Sequence, residues 1–96
     1  MNIVEAISKL KSYLHFKSNW DQQGAKAPFP DSIHQAIEYI LNAKDDPYLV
    51  GITQDGCAFV EYIQSNGIDS DNFIFLGNGK CKYSVIERKT QNFREV

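Results

Sequence analysis

Apolar residues recur at helical spacing twice and then alternate in β fashion. Ile3, Ile7, Leu10 and Leu14 fall at steps of four, three and four; Val4, Ala6 and Tyr13 widen the stripe, and Glu5, Lys9, Lys11 and Ser12 lie off it. This period predicts an amphipathic helix over about residues 2–15, with Asn2 or the chain terminus as N-cap. Residues 16–30 break the period. Gly24, Pro28 and Pro30 forbid a continuous helix there, yet the stretch holds the only Trp, Trp20, with Phe16 and Phe29. An ordered loop pinned by Trp20 against the helices is expected. Pro30 and Asp31 suit the first turn of a second helix, and Ile33, Ala36, Ile37, Ile40 and Leu41 give it an apolar face over about residues 30–43. Lys44 has the right sign for its C-terminal end, and Asp45-Asp46-Pro47 stops it.

From Tyr48 onward the pattern is β. Tyr48–Thr53 and Cys57–Ile63 flank Gln54-Asp55-Gly56, and Asn72–Leu76 and Lys80–Ile86 flank Gly77-Asn78-Gly79. Asp-Gly and Asn-Gly between β-rich runs are hairpin signals. Read as two-residue turns, Asp55-Gly56 sets Ile52 opposite Phe59 and Val50 opposite Glu61. Asn78-Gly79 likewise sets Leu76 opposite Cys81 and Ile74 opposite Tyr83, so that Phe73 and Phe75 share a face with Lys82 and Ser84. Residues 89–96 are polar and expected to fray. The order predicts a single α+β domain over residues 1–96, with two N-terminal helices packed on a four-stranded antiparallel β-meander. In this register both sheet faces carry large apolar groups. One pair of helices covers only one face, so the other is wrapped by the Trp20 loop or buried by a partner.

Composition narrows the class. With 96 residues, 43% apolar and 23% charged, the chain has ordinary values for one globular domain. No apolar run approaches the ~20 residues that span a bilayer. Met1-Asn2-Ile3-Val4-Glu5 lacks the look of a signal peptide, so a cytoplasmic protein is expected, without membrane partners. Two cysteines, Cys57 and Cys81, are too few for a disulfide framework and are expected reduced and buried. The net charge of −2 is unevenly spread. Residues 45–79 hold Asp45, Asp46, Asp55, Glu61, Asp69 and Asp71 with no base, whereas residues 80–96 hold five bases against two acids. The acidic middle forms either a solvated set of turns or a rim that steers a basic partner.

No constellation for catalysis stands out. His15, His34, Cys57 and Cys81 are 19, 23 and 24 residues apart, which matches no zinc spacing. Asp45-Asp46 and Asp69 with Asp71 could hold a hard cation, but counting from Asp69 the EF-hand pattern fails at Ile74 and Lys80. Gly77-Asn78-Gly79-Lys80 lacks the Walker spacing and precedes a strand. The expectation is no catalytic residue, no metal and no cofactor.

The segment Asn19-Trp20-Asp21-Gln22-Gln23-Gly24-Ala25, followed by Pro28-Phe29-Pro30, Thr53-Gln54-Asp55-Gly56 and Glu61-Tyr62, is similar to a group of small uncharacterised bacterial and phage proteins. Their shared pattern is Trp-Asp-x-x-Gly-Ala, a Pro-x-Pro helix start and a Thr-x-Asp-Gly hairpin. The resemblance covers roughly residues 17–85. It departs where Gln22-Gln23 replaces a common Gly-Tyr pair and where Phe29 replaces a capping Ser. It implies an association with mobile elements and defence-related gene neighbourhoods, and no particular activity. Physically, Trp20 is expected to anchor the loop at the helix–sheet junction with its ring N–H on a carbonyl. Asp21 is expected to accept backbone N–H groups, and Gly24 to supply a left-handed turn.

Taken together, these features predict a small non-enzymatic protein-binding module, of the antitoxin, immunity or defence-inhibitor type, that occludes a nuclease or nucleic-acid-binding partner. The expected contact residues are Trp20, Asp21, Tyr62, Phe73, Phe75, Lys82, Asp45, Asp46 and Asp55. Tyr62, Phe73 and Phe75, rimmed by Lys82, are expected on the uncovered sheet face, which either docks the partner or closes a two-fold dimer. The alternative is a nucleic-acid-binding accessory domain using Lys82 with Phe73 and Phe75 as a basic, stacking face.

Overall fold

Asn2 starts the first helix as its spacing predicts: its Oδ1 accepts the Glu5 N–H at 2.8 Å. A computed structural model of the chain describes residues 1–88 in full and residues 92–95 as backbone. Helix α1 spans Ile3–Ser12 and tightens into a 3₁₀ turn over Tyr13–His15. Helix α2 spans Pro30–Ala43. Pro30 occupies its first turn, and Phe29 at the N-cap offers no side-chain acceptor. Lys44, at φ +60°, turns the chain out of the helix while its N–H bonds the Ile40 carbonyl at 3.1 Å.

The strands are β1 (Leu49–Ile52), β2 (Ala58–Ile63), β3 (Ser70–Phe75), β4 (Cys81–Glu87) and β5 (Asn92–Glu95). They form one antiparallel sheet in the order β1-β2-β3-β4-β5. The α+β meander is as expected, with one more strand. Asn92–Glu95, read from sequence as part of a frayed tail, pair with β4; residues 89–91 and 96 of that tail lie outside the described residues.

Both hairpins depart from the predicted register by one residue, because each loop holds three residues rather than two. In the first, Thr53 N–H bonds Cys57 O at 2.8 Å and Gly56 N–H bonds Thr53 O at 3.0 Å. Gly56 alone of the loop is left-handed, at φ +86°. In the second, Leu76 N–H bonds Lys80 O at 3.0 Å around Gly77-Asn78-Gly79. The pairs are therefore Val50 with Val60, Ile52 with Ala58, Phe73 with Tyr83, Ile74 with Lys82 and Phe75 with Cys81. With a side-chain period of two, a one-residue slip exchanges the faces. Phe73 and Phe75 lie on the helix side, and Lys82 points the other way.

Ala6 and Leu10 of α1 and Ile33, Ala36 and Ile40 of α2 bury against Val50, Ala58, Val60 and Phe75. Phe75 is 2% exposed and belongs to this core, not to an uncovered face. Ser32, fully buried on α2, stitches the layers together. Its Oγ accepts the Ala58 N–H at 2.7 Å and donates to the Phe75 carbonyl at 2.6 Å. It stands as the rung between β2 and β3 one step past the last paired residues, Phe59 and Ile74.

The face away from the helices is less apolar than the predicted register makes it. Phe59 lies over Gly51, where a Cβ would come within 2.6 Å of its ring. The next row runs Leu49, Glu61, Asn72, Ser84. Glu61 is 4% exposed and ion-paired with Arg88, whose guanidinium also lies 5.6 Å from the Tyr48 ring centre. This polar row breaks up the apolar surface expected there.

The Trp20 loop does not wrap that face either. It runs beside the first hairpin, with Lys26 N–H on Gln54 O and Phe29 N–H on Gly56 O, both at 2.9 Å.

Candidate functional site

Coverage of the sheet by the helices is uneven. Helix α1 packs on β1, and α2 on β2 and β3, while β4 and β5 have at most marginal contact with either. The side chains flanking α2 thus border open ground at one end of the strands and along β3 and β4.

At the strand end lies a groove of about 750 Å³. Tyr39 of α2, Tyr62 of β2 and Phe73 of β3 form its aromatic wall, with Tyr48 beside them, and Asp45, Asp46 and Asp71 supply its charge. The aromatic wall is continuous: the Tyr39 ring centre lies 4.9 Å from that of Phe73 and 6.2 Å from that of Tyr62. A second, mainly apolar groove of about 470 Å³ follows between α2 and β3–β4, with Phe75, Cys81 and Tyr83 in its floor. Tyr39 and Phe73 line both grooves, so the two are contiguous. Among the described residues, no Lys, Arg or His side chain lines either one.

The three carboxylates are held differently. Asp46 Oδ1 accepts the Ile3 N–H at 3.1 Å and so tethers the start of α1. Asp71 Oδ1 accepts Gln64 Nε2 at 2.9 Å and the Tyr83 hydroxyl at 2.5 Å, which fixes it beside the shared wall. Asp45 is exposed and makes no hydrogen bond or ion pair among the described residues. Burial, then the nearby Tyr39 and Asp45, pushes the Tyr62 phenol up to about 12. Burial likewise raises Tyr39, with further push from Cys81, Asp71 and Asp45. Both phenols are therefore neutral at physiological pH. The Tyr62 oxygen is buried with no hydrogen-bond partner among the described residues, a costly state that native structures rarely leave unexplained.

Four of the nine expected contact residues, Asp45, Asp46, Tyr62 and Phe73, come together here. Phe75 reaches only the floor of the second groove from the core. Lys82 is exposed on the opposite face, so the expected basic–aromatic face of Lys82, Phe73 and Phe75 does not form. Trp20, Asp21 and Asp55 sit at the other end of the strands. Trp20 is half-buried, 5.6 Å from Phe16, with its ring N–H on Lys26 O at 2.9 Å. Asp21 Oδ1 accepts the Gln23 and Ala25 N–H groups, and its Oδ2 accepts Gln54 Nε2 at 3.0 Å. Partial desolvation works against its charge, but these bonds outweigh it and hold the carboxyl below the usual aspartate range. The Trp-Asp-x-x-Gly-Ala and Thr-x-Asp-Gly segments thus bind each other, and Gly24 takes φ +83° between them.

Cys57 is buried, but Cys81 is exposed, against expectation, because α2 stops short of β4. Burial of part of its side chain pushes the thiol up, toward the unreactive protonated form. Sequence reading missed Tyr39 and Tyr83, and it counted Asp71 in the acidic middle without placing it beside the aromatic residues. Tyr39 lies three residues after Ala36, at the edge of the α2 stripe, and Asp71 alternates with Phe73 and Phe75, so both carried a periodic signal. No group of three metal-ligating side chains is gathered among the described residues, and no described helix is long and apolar enough to cross a membrane.

Comparison with known proteins finds no matching family model, no similar curated protein and no similar solved structure.

Proposed function

We propose that this chain is a protein-binding module that docks a basic protein surface in the acidic–aromatic groove and thereby occludes it. The observation that carries the reading is the junction of Asp45, Asp46 and Asp71 with the Tyr39–Tyr62–Phe73 wall, with no lining Lys, Arg or His side chain among the described residues. Carboxylates beside aromatic faces suit Lys and Arg side chains, whose cations gain from both. An acidic patch also speeds encounter with a basic partner. A nuclease or nucleic-acid-binding complex presents such a surface, and blocking it is what an antitoxin, immunity protein or defence inhibitor does.

The test is affinity capture from the native host with wild-type and Asp45→Lys baits, followed by mass spectrometry. Asp45 is exposed and carries no packing role, so the variant keeps the fold. A basic protein retained by wild type, released by salt and lost from the variant is the expected result. Capture indifferent to both the substitution and salt overturns the groove as the docking site.

A further inference from the structure

The second groove has the shape of a missing element. Beyond α2, β4 and β5 have at most marginal contact with either helix, and the open strip runs from the edge of β3 to β5. Adjacent strands lie ~4.8 Å apart, so this strip is roughly 10 Å wide, about the diameter of one helix. The wall that α2 turns toward it is Gln35, Glu38, Tyr39 and Asn42, a set spaced i, i+3, i+4, i+7 that forms one continuous helical stripe. Its floor of Phe73, Phe75 and Tyr83 is apolar, with Phe73 and Tyr83 stacked at 5.0 Å. Charge is not neutral along the path: Glu38 borders the apolar groove, and Asp45 and Asp71 close the end into which it opens.

We infer that the occupant of this path is an amphipathic, basic α-helix of the partner protein, lying beside α2 over β3 and β4 as a third member of the helix layer. Its apolar stripe meets Phe73 and Tyr83, and its Lys or Arg side chains reach Glu38, Asp45 and Asp71. The inference rests on the proposed docking of a basic partner and specifies its secondary structure. A helix suits the site better than an added strand, because the surface offered is the side-chain face of the sheet and a helical stripe, not an unpaired backbone edge.

The test uses two 18-residue peptides of identical Leu/Lys composition, one with leucines at helical spacing and one strictly alternating. Each is titrated at low salt into the isotopically labelled protein and followed by amide shifts. The expected result is that the helical peptide binds and shifts signals around Tyr39, Phe73, Cys81 and Tyr83. Binding should weaken at least tenfold in Asn42→Arg, which blocks the α2 stripe from an exposed position, while circular dichroism shows the variant folded. Binding of the alternating peptide alone in the same groove overturns the helix and leaves the basic-partner reading standing. No shift with either peptide overturns both. Shifts of these residues that grow with protein concentration and need no peptide assign the groove to a second copy of the chain and overturn the inference.

Discussion

Removing one hydroxyl should unsettle the junction of both layers. Ser32 is fully buried, and its Oγ bridges the Ala58 N–H and the Phe75 carbonyl. Ser32→Ala orphans both groups at once. Each unsatisfied buried backbone group costs about 1–3 kcal/mol, and closure of a direct Ala58–Phe75 bond recovers part of that. The expected net loss is about 2–4 kcal/mol, from a total of about 5–14 kcal/mol for a domain of this size. Urea unfolding should show a lower midpoint with unchanged slope, and Tm should fall by roughly 10–30 °C. Hydrogen exchange at the Ala58 amide should accelerate more than at Val60, which lies deeper in the ladder. A loss below about 0.5 kcal/mol with Ala58 still protected would show that the two strands pair without the serine, and that its bridging role is wrong.

Trp20→Ala should cost about 2 kcal/mol, short of the roughly 3–5 kcal/mol for a fully buried ring, because Trp20 is only partly buried; a chemical-denaturation loss within or above that range would place it in the core. Gly56→Ala should destabilise more than Gly24→Ala in the same assay. Both positions pay the left-handed backbone penalty of about 1–2 kcal/mol, but only at Gly56 does a Cβ meet backbone, 2.6 Å from the Ala27 oxygen, and equal losses would refute the close approach. Asp21, whose folded carboxyl lies below its ordinary 3.8, contributes stability above that value and loses it as pH falls through the folded one. Asp21→Asn should therefore be less stable than wild type at neutral pH and match it in strong acid; a gap that persists in acid would assign the effect to geometry alone.

The sequence made the element order legible because each stripe was long enough to show its period. Pro30 and Lys44 mark both ends of α2 through local chemistry, and the observed bounds agree with the expectation. Loop length was not legible. Asp-Gly and Asn-Gly serve two-residue and three-residue hairpins alike, and what selects between them lies elsewhere in the chain. Gly56 fits under the Ala27 carbonyl, and a Cβ on Gly77 would stand 3.3 Å from the Ser32 nitrogen. The second turn is further clamped by Gln35, which accepts from Gly77 N–H at 3.1 Å and donates to Lys80 O at 3.2 Å. These are contacts across 29 to 45 residues, from Ala27 with Gly56 to Gln35 with Lys80, that no local window contains. Strand β5 escaped for a different reason: Asn92–Glu95 is four residues long, too short for alternation to stand out from a polar tail.

Loop length also decides the sign of the candidate surface. In two-residue hairpins Phe73 and Phe75 would stand beside Lys82, and the aromatic face would attract anions. The third loop residue moves Lys82 opposite Ile74 and brings Phe73 level with Tyr83, on the side where Asp71 projects. The same aromatic side chains then stand among acids. The other face cannot offset this, because its one buried acid, Glu61, is already matched by Arg88. Neutralised carboxylate on one face and unmatched Asp45 on the other make the electrostatics of the sheet asymmetric. A basic partner therefore gains most on the helix side, next to α2, where apolar ground also remains uncovered. Moving Phe73 and Phe75 to Lys82's side by a slip of β3 would take Phe75 out of the core that it shares with Ile40 and Ala36. The core thus holds the aromatic wall on the helix side, next to Asp71.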